Sequence, residues 1–138
     1  MRVAIYARTA ACEGNPSPSI TRQLERLRAH VTAQGWEVVE ENVFVDDGQG
    51  GYTLERPALE QLRVRVRAGE IDLVWSTDMN RLTRNHADVR ILHEESQSAG
   101  CQVRFLDDPA CEDSWFRKWS EAQGHNRMRL AHGNPTSR

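Results

Sequence analysis

Short apolar runs alternate with helical stretches along this chain. Arg2 to Ala7 is an apolar, β-prone run with the length of a buried strand. Glu13-Gly14-Asn15-Pro16-Ser17-Pro18 follows, a loop dense in turn residues. Ser19 stands as an N-cap, and Leu24, Leu27 and Val31 recur at steps of three and four over Arg22 to Ala33, the inner stripe of a helix that Gly35 stops. Trp36 to Val45 alternates as a second strand, and Asp46 to Thr53 reads as a flexible, glycine-bearing loop. Pro57 opens the next helix at a first-turn position, where its missing N–H costs nothing. Leu59, Leu62 and Val66 form that helix's inner stripe, and Gly69 ends it. Ile71 to Trp75 predicts a third strand, Asn85 to Ser98 a third helix with Val89 and Leu92 inward, and Gln102 to Leu106 a last strand.

This alternation predicts an α/β fold: a mostly parallel sheet, right-handed crossovers, helices on both faces, and a short C-terminal helix. Residues 1–106 form the α/β domain in this reading. Residues 107–138 hold a turn, Asp107-Asp108-Pro109, then a terminal helix over Glu112 to His132 and a short tail. Trp115, Phe116 and Trp119 cluster near the start of that helix as a packing patch suited to a dimer seam. Ligand sites in such sheets lie beyond the carboxyl ends of the strands. Arg8 and the segment after Trp75 both fall at such ends, so one site can contain both.

Composition narrows the function. The formal net charge is −2, which argues against a strongly basic, autonomous DNA-binding domain. Nearly all the positive charge is arginine, with Lys118 the only lysine. The guanidinium is a planar, permanently charged donor that matches phosphate oxygens. Cys12, Cys101 and Cys111 form no CxxC pair, which points to a reducing cytoplasm and away from zinc or a disulfide framework. His30, His86, His93, His125 and His132 show no metal-ligand spacing and read as surface residues, with His86 near enough to the later arginines to touch a site there. No apolar run has the length of a membrane span, and the N-terminus enters a strand without a signal-peptide core.

The candidate chemistry is a set of arginines. Arg8 follows the first strand, Arg56 begins a helix, and Arg81 and Arg84 follow the third strand. Singly, each reads as a solvated surface residue, as does the run Arg63-Val64-Arg65-Val66-Arg67. Jointly they sit on separate loops that a parallel sheet can bring together, with the bidentate geometry that phosphate requires.

Four segments carry a resemblance. Tyr6-Ala7-Arg8, Ser19-Ile20-Thr21-Arg22-Gln23-Leu24, Asp47-Gly48 through Arg56-Pro57-Ala58-Leu59, and Arg81-Leu82-Thr83-Arg84-Asn85 stand in the order and at the spacing of the serine recombinase (resolvase/invertase) family. The resemblance runs from Met1 to about Leu106. It implies a resolvase-like catalytic domain in which Arg8, Arg56, Arg81 and Arg84 contact the scissile phosphate, with Gln23, Asp78 and Asn80 in support. It further implies a reaction that uses no metal and no cofactor, in which a serine forms a covalent 5′-phosphoserine link within a tetramer.

Three departures stand out. The serine is expected at position 10, where this chain has Ala10. Asn80 stands where many members have aspartate, although Asp78-Met79-Asn80 resembles a variant found in some large members. Gly50 replaces a serine common in the glycine-rich loop. The terminal helix is also short, and no helix-turn-helix domain is expected, so no element for base readout is evident. These features predict a catalytically inactive recombinase-like domain, a regulator or relic of a mobile element, partnered by DNA and forming a homodimer or a mixed dimer with an active recombinase. Two alternatives remain. One is an active DNA-cleaving enzyme that uses Thr9 or Cys12, or whose serine was deliberately replaced. The other is a small α/β module that binds a phosphate or nucleotide.

Overall fold

A computed structural model describes residues 1–10, 14, 16–50 and 54–107, with the backbone alone at His86. The elements are β1 (Val3–Thr9), α1 (Pro18–Ala33), β2 (Val43–Asp47), α2 (Pro57–Arg67), β3 (Leu73–Ser76), α3 (Met79–Leu82), α4 (His86–Ala99) and β4 (Gln102–Phe105). The four strands are parallel in the order β2-β1-β3-β4. The α/β expectation holds, and so does the placement of helices on both faces. The residues expected to form a terminal helix, with Trp115, Phe116 and Trp119, lie outside the described residues, as does Cys12.

Successive side chains of a strand point to opposite faces. Ala4 and Tyr6 of β1 join Val74, Phe105 and Phe44 on one face, packed against Leu59, Leu62 and Val66 of α2, Leu82 of α3 and Val89 of α4. Val3 and Ile5 join Leu73 and Trp75 on the other, sealed by Leu27 and Val31 of α1. Leu24 and Leu92 occupy the margins of these clusters rather than their centres. The interior strands β1 and β3 are buried along their whole length, as expected where helices cover both faces.

Several boundaries differ from the sequence reading. Helix α1 begins at Pro18, with Ser17 at the N-cap and Ser19 inside its first turn. Pro18 supplies a preset φ at the first helical position and forgoes an N–H that has no partner there. Strand β2 starts only at Val43, because its pairing with β1 begins at Ile5↔Val43. Before it, Trp36 and Val38 pack at the margin of the α1-side core, and Glu40–Asn42 form a 3-10 turn. The alternation at Trp36 and Val38 therefore records packing, not pairing. Helix α4 begins at His86, with the Asn85 side chain accepting the Ala87 N–H as a cap. Gly100, at φ 72°, ends it in the left-handed conformation that glycine adopts most readily.

At the amino end of the sheet, Asp72 accepts the Arg2 backbone N–H and two bonds from its guanidinium, while Asp72 N–H donates to the Arg2 carbonyl. These bonds hold the Asp72 carboxyl at about 2, below its ordinary value of 3.8. A depressed carboxylate adds stability that is present above the ordinary value and lost as pH falls through the folded one. A carboxyl titration by NMR should place the Asp72 midpoint near 2, and Arg2→Ala should return it toward 3.8. In urea denaturation, Leu27→Ala at a fully buried position should cost about 3 kcal/mol. Val64→Ala on the exposed side of α2 should stay within about 0.5 kcal/mol.

Candidate functional site

Strand β1 outruns β3. Pairing between them ends at Ile5↔Trp75, whereas β1 continues to Thr9 beside β2. Beyond that point the Ser76 hydroxyl of β3 donates to the Tyr6 carbonyl, and past it Gln23 of α1 takes over on that side of β1. Its side-chain oxygen accepts the Arg8 N–H at 3.1 Å and its amide donates to the Arg8 carbonyl at 2.9 Å. A side-chain amide thus stands in for a neighbouring strand and fixes the backbone from which Arg8 projects.

By the period of two, Arg8 follows Tyr6 onto the α2 face. The residue is only 1% exposed. It donates to the carbonyls of Arg81 (3.0 Å), Asn80 (2.6 Å) and Gln49 (2.8 Å). Arg56, also 1% exposed, enters from the residue before α2. It donates to the Tyr6 hydroxyl and the Arg81 carbonyl, each at 3.0 Å, and to the Leu82 carbonyl. One oxygen, that of Arg81, therefore receives both buried guanidinium groups. The acceptors have a common origin. Asn80, Arg81 and Leu82 end the single turn of α3, and the last carbonyls of a helix have no partner within it.

Tyr6 and Asp46 complete the arrangement. The Tyr6 hydroxyl donates to Asp46 at 2.7 Å, and the same carboxylate accepts the N–H groups of Ala58 and Leu59 at the start of α2. Burial pushes the Tyr6 hydroxyl well above its ordinary value, so it remains a neutral donor between Arg56 and Asp46. Burial also lowers Arg8 below its ordinary value, and the nearby charges of Arg56, Arg84 and Arg81 lower it further. Positive charge is concentrated here beyond what adjacent carboxylates offset.

The other expected residues take distinct places. Arg81 turns back to donate to the Arg8 carbonyl at 3.1 Å, with Asp78 3.9 Å from its Nε. Arg84 is exposed. Asn80 contributes its backbone carbonyl to Arg8. Ala10 lies exposed at a bend just past β1. Thr9 is buried, and by alternation its side chain faces away from that of Arg8. Cys101 is buried and its thiol is pushed up to about 12, mainly by burial, so it holds no thiolate at neutral pH. Among the described residues, no group of three or more His, Cys, Asp or Glu is placed to hold a metal ion. An excess of guanidinium at strand ends suits an anion.

Sequence reasoning missed Tyr6 and Asp46. The available signal was periodic: Tyr6 shares the face of Arg8, and Asp46 is the β2 partner of Arg8 in register. It also missed the Ser17 hydroxyl and N–H donating to Asp47, which tie the β1–α1 loop to the end of β2.

The chain matches the resolvase N-terminal domain family over residues 3–124. It is 37% identical over 119 residues to a site-specific recombinase of Escherichia coli, covering 86% of this chain and 55% of that protein. It is 33% identical over 114 residues to the Tn3 transposon resolvase of Escherichia coli, covering 82% and 54%. The chain thus spans about half the length of these relatives. In structure it is similar to the N-terminal catalytic domain of TP901-1 integrase, with a TM-score of 0.79 and 24% identity over 94% of this chain and 99% of that one. It is also similar to the C-terminal catalytic domain of an IS607-like serine recombinase, with a TM-score of 0.67 and 27% identity over 77% and 69%.

Asp46→Asn should destabilise the domain by about 2 kcal/mol, because one buried acceptor cannot serve Tyr6 and two helix N–H groups. Asp72→Asn at the half-exposed pair with Arg2 should cost under about 1 kcal/mol. Equal losses in urea denaturation would show that Asp46 organises nothing beyond a surface contact.

Proposed function

The chain belongs to the resolvase family of serine recombinases, and from that premise we propose that it is a recombinase-like domain that engages DNA phosphate without a nucleophile at position 10. It acts as a non-cleaving or regulatory subunit beside an active recombinase, or as a homodimer on DNA. The observation that carries this reading is the meeting of the Arg8 and Arg56 guanidinium groups on the Arg81 carbonyl, with Arg84 close by and an exposed alanine at the position where the family's serine is expected.

In this reading Arg81 and Arg84 meet the phosphate first. Each offers donors near the surface, whereas the guanidinium groups of Arg8 and Arg56 are occupied by backbone carbonyls. A phosphate carries more negative charge than a carbonyl and is a stronger acceptor, so it can compete for them. Bound there, it would have its charge compensated as in the family's reaction. No bond would form to the protein from position 10, because a methyl group has neither lone pair nor proton to transfer. Thr9 is a poor substitute, being buried and turned to the opposite face of β1.

Fluorescence anisotropy with a labelled duplex at low salt should show binding that weakens steeply as salt rises. The double variant Arg81→Ala, Arg84→Ala should lose most of it. Undiminished binding by that variant would remove the arginine site from the account. Denaturing electrophoresis after incubation with supercoiled DNA should show no covalent protein–DNA band for the wild type; such a band would mean that another residue attacks. Competition for the site by millimolar inorganic phosphate, with no DNA affinity, would favour the small-ligand alternative.

A further inference from the structure

The exposed arginines of the described chain fall into two groups. Arg2, Arg26, Arg67 and Arg90 each stand against a carboxylate, at 3.0, 3.1, 3.4 and 3.7 Å from Asp72, Asp107, Glu95 and Glu94. Arg22 and Arg84 have no carboxylate within ion-pair distance among the described residues. Arg84 belongs to the arginine site. Arg22 lies on α1 and has no part in that site's hydrogen bonds.

Its place follows from its neighbours on the helix. Helix α1 returns antiparallel to the strands, so its first turns lie over the carboxyl ends, where Gln23 holds Arg8. Arg26 bonds Asp107, and the Asp107 N–H donates to the carbonyl of Thr77, the residue just past β3. Arg22 is one turn nearer the helix start on the same strip of surface, about 6 Å further along. It thus lies beyond the end of β3, on the side from which Asp78, α3 and Arg81 depart. Ser19, one turn earlier again, accepts a bond from Gln23 at 3.0 Å, so this strip borders the residue that anchors Arg8.

We propose that Arg22 binds a backbone phosphate of DNA next to the one held by Arg81 and Arg84, widening the arginine site into a short track across the start of α1. This rests on the reading that the arginine site engages DNA. Among the described residues the other exposed arginines are neutralised by a carboxylate; at these two positions the charge is left for a partner. The partner that fits is a polyanion with charges repeated at short intervals, for which a second arginine beside the first adds one more released counterion. The contact is to phosphate and carries no base preference.

The test is anisotropy with a fluorescein-labelled duplex across a range of NaCl concentrations, using wild type, Arg22→Ala, Arg22→Glu, Arg84→Ala and Arg90→Ala. Circular dichroism melts confirm that each variant is folded. Arg22→Ala should bind more weakly than wild type and reduce the slope of log K against log salt by about 0.9, the loss of one phosphate contact. Arg22→Glu should be weaker still, and Arg90→Ala should match wild type. If both Arg22 variants keep the wild-type affinity and slope while Arg84→Ala loses affinity, the Arg22 proposal fails and the arginine site stands. If wild type shows no salt-dependent binding, both fail.

Discussion

Two permanent charges are buried at the carboxyl end of this sheet, and the surrounding structure is organised to satisfy them. A guanidinium removed from water must find its hydrogen bonds inside the protein. Arg8 and Arg56 find theirs largely in the backbone carbonyls of Asn80, Arg81 and Leu82. Those carbonyls are unpartnered because α3 is a single turn. Surplus donors from the end of β1 and the start of α2 thus meet surplus acceptors that follow β3. Gln23 holds the backbone that bears Arg8, and Asp46, through Tyr6, steadies the side chain of Arg56.

The arrangement separates two kinds of arginine that look alike in one dimension. Arg8 and Arg56 are interior residues and Arg84 is a surface one, while Arg81 bridges the two by donating to the Arg8 backbone and accepting at its own carbonyl. The electrostatics follow this division. Crowding among the four lowers Arg8 from its ordinary value, an effect second to burial itself. A site with this character favours any group that brings negative charge with several acceptor oxygens.

The alternation of strand and helix was legible because burial imposes its periods directly on the chain: Leu59, Leu62 and Val66 face the sheet as their spacing predicts. The start of β2 was not, because Trp36 and Val38 satisfy a packing demand that alternation cannot distinguish from pairing. Helix α3 escaped notice because one turn contains too few residues to show a period. At the site, the meeting of Arg8 with the segment after β3 was readable, since strand ends of a parallel sheet share one rim. What each arginine bonds was not, because carbonyl oxygens belong to every residue and leave no trace in composition. Tyr6 and Asp46 were hidden for a related reason: each is ordinary for a strand, and their link to Arg56 exists only after β1, β2 and α2 have packed.

Dependence on those buried charges also bears on how such a domain changes over many generations. Ala10 is exposed and anchors nothing among the described residues, so a serine can be lost there at little cost to folding. Arg8 and Arg56 have no such freedom, since removing either leaves helix-end carbonyls stranded in the interior. Mutational drift would therefore spare Arg8 and Arg56 longer than position 10 or the exposed Arg84. Selection for a folded chain alone is enough to preserve this buried pair, which is a record of architecture before it is a record of chemistry.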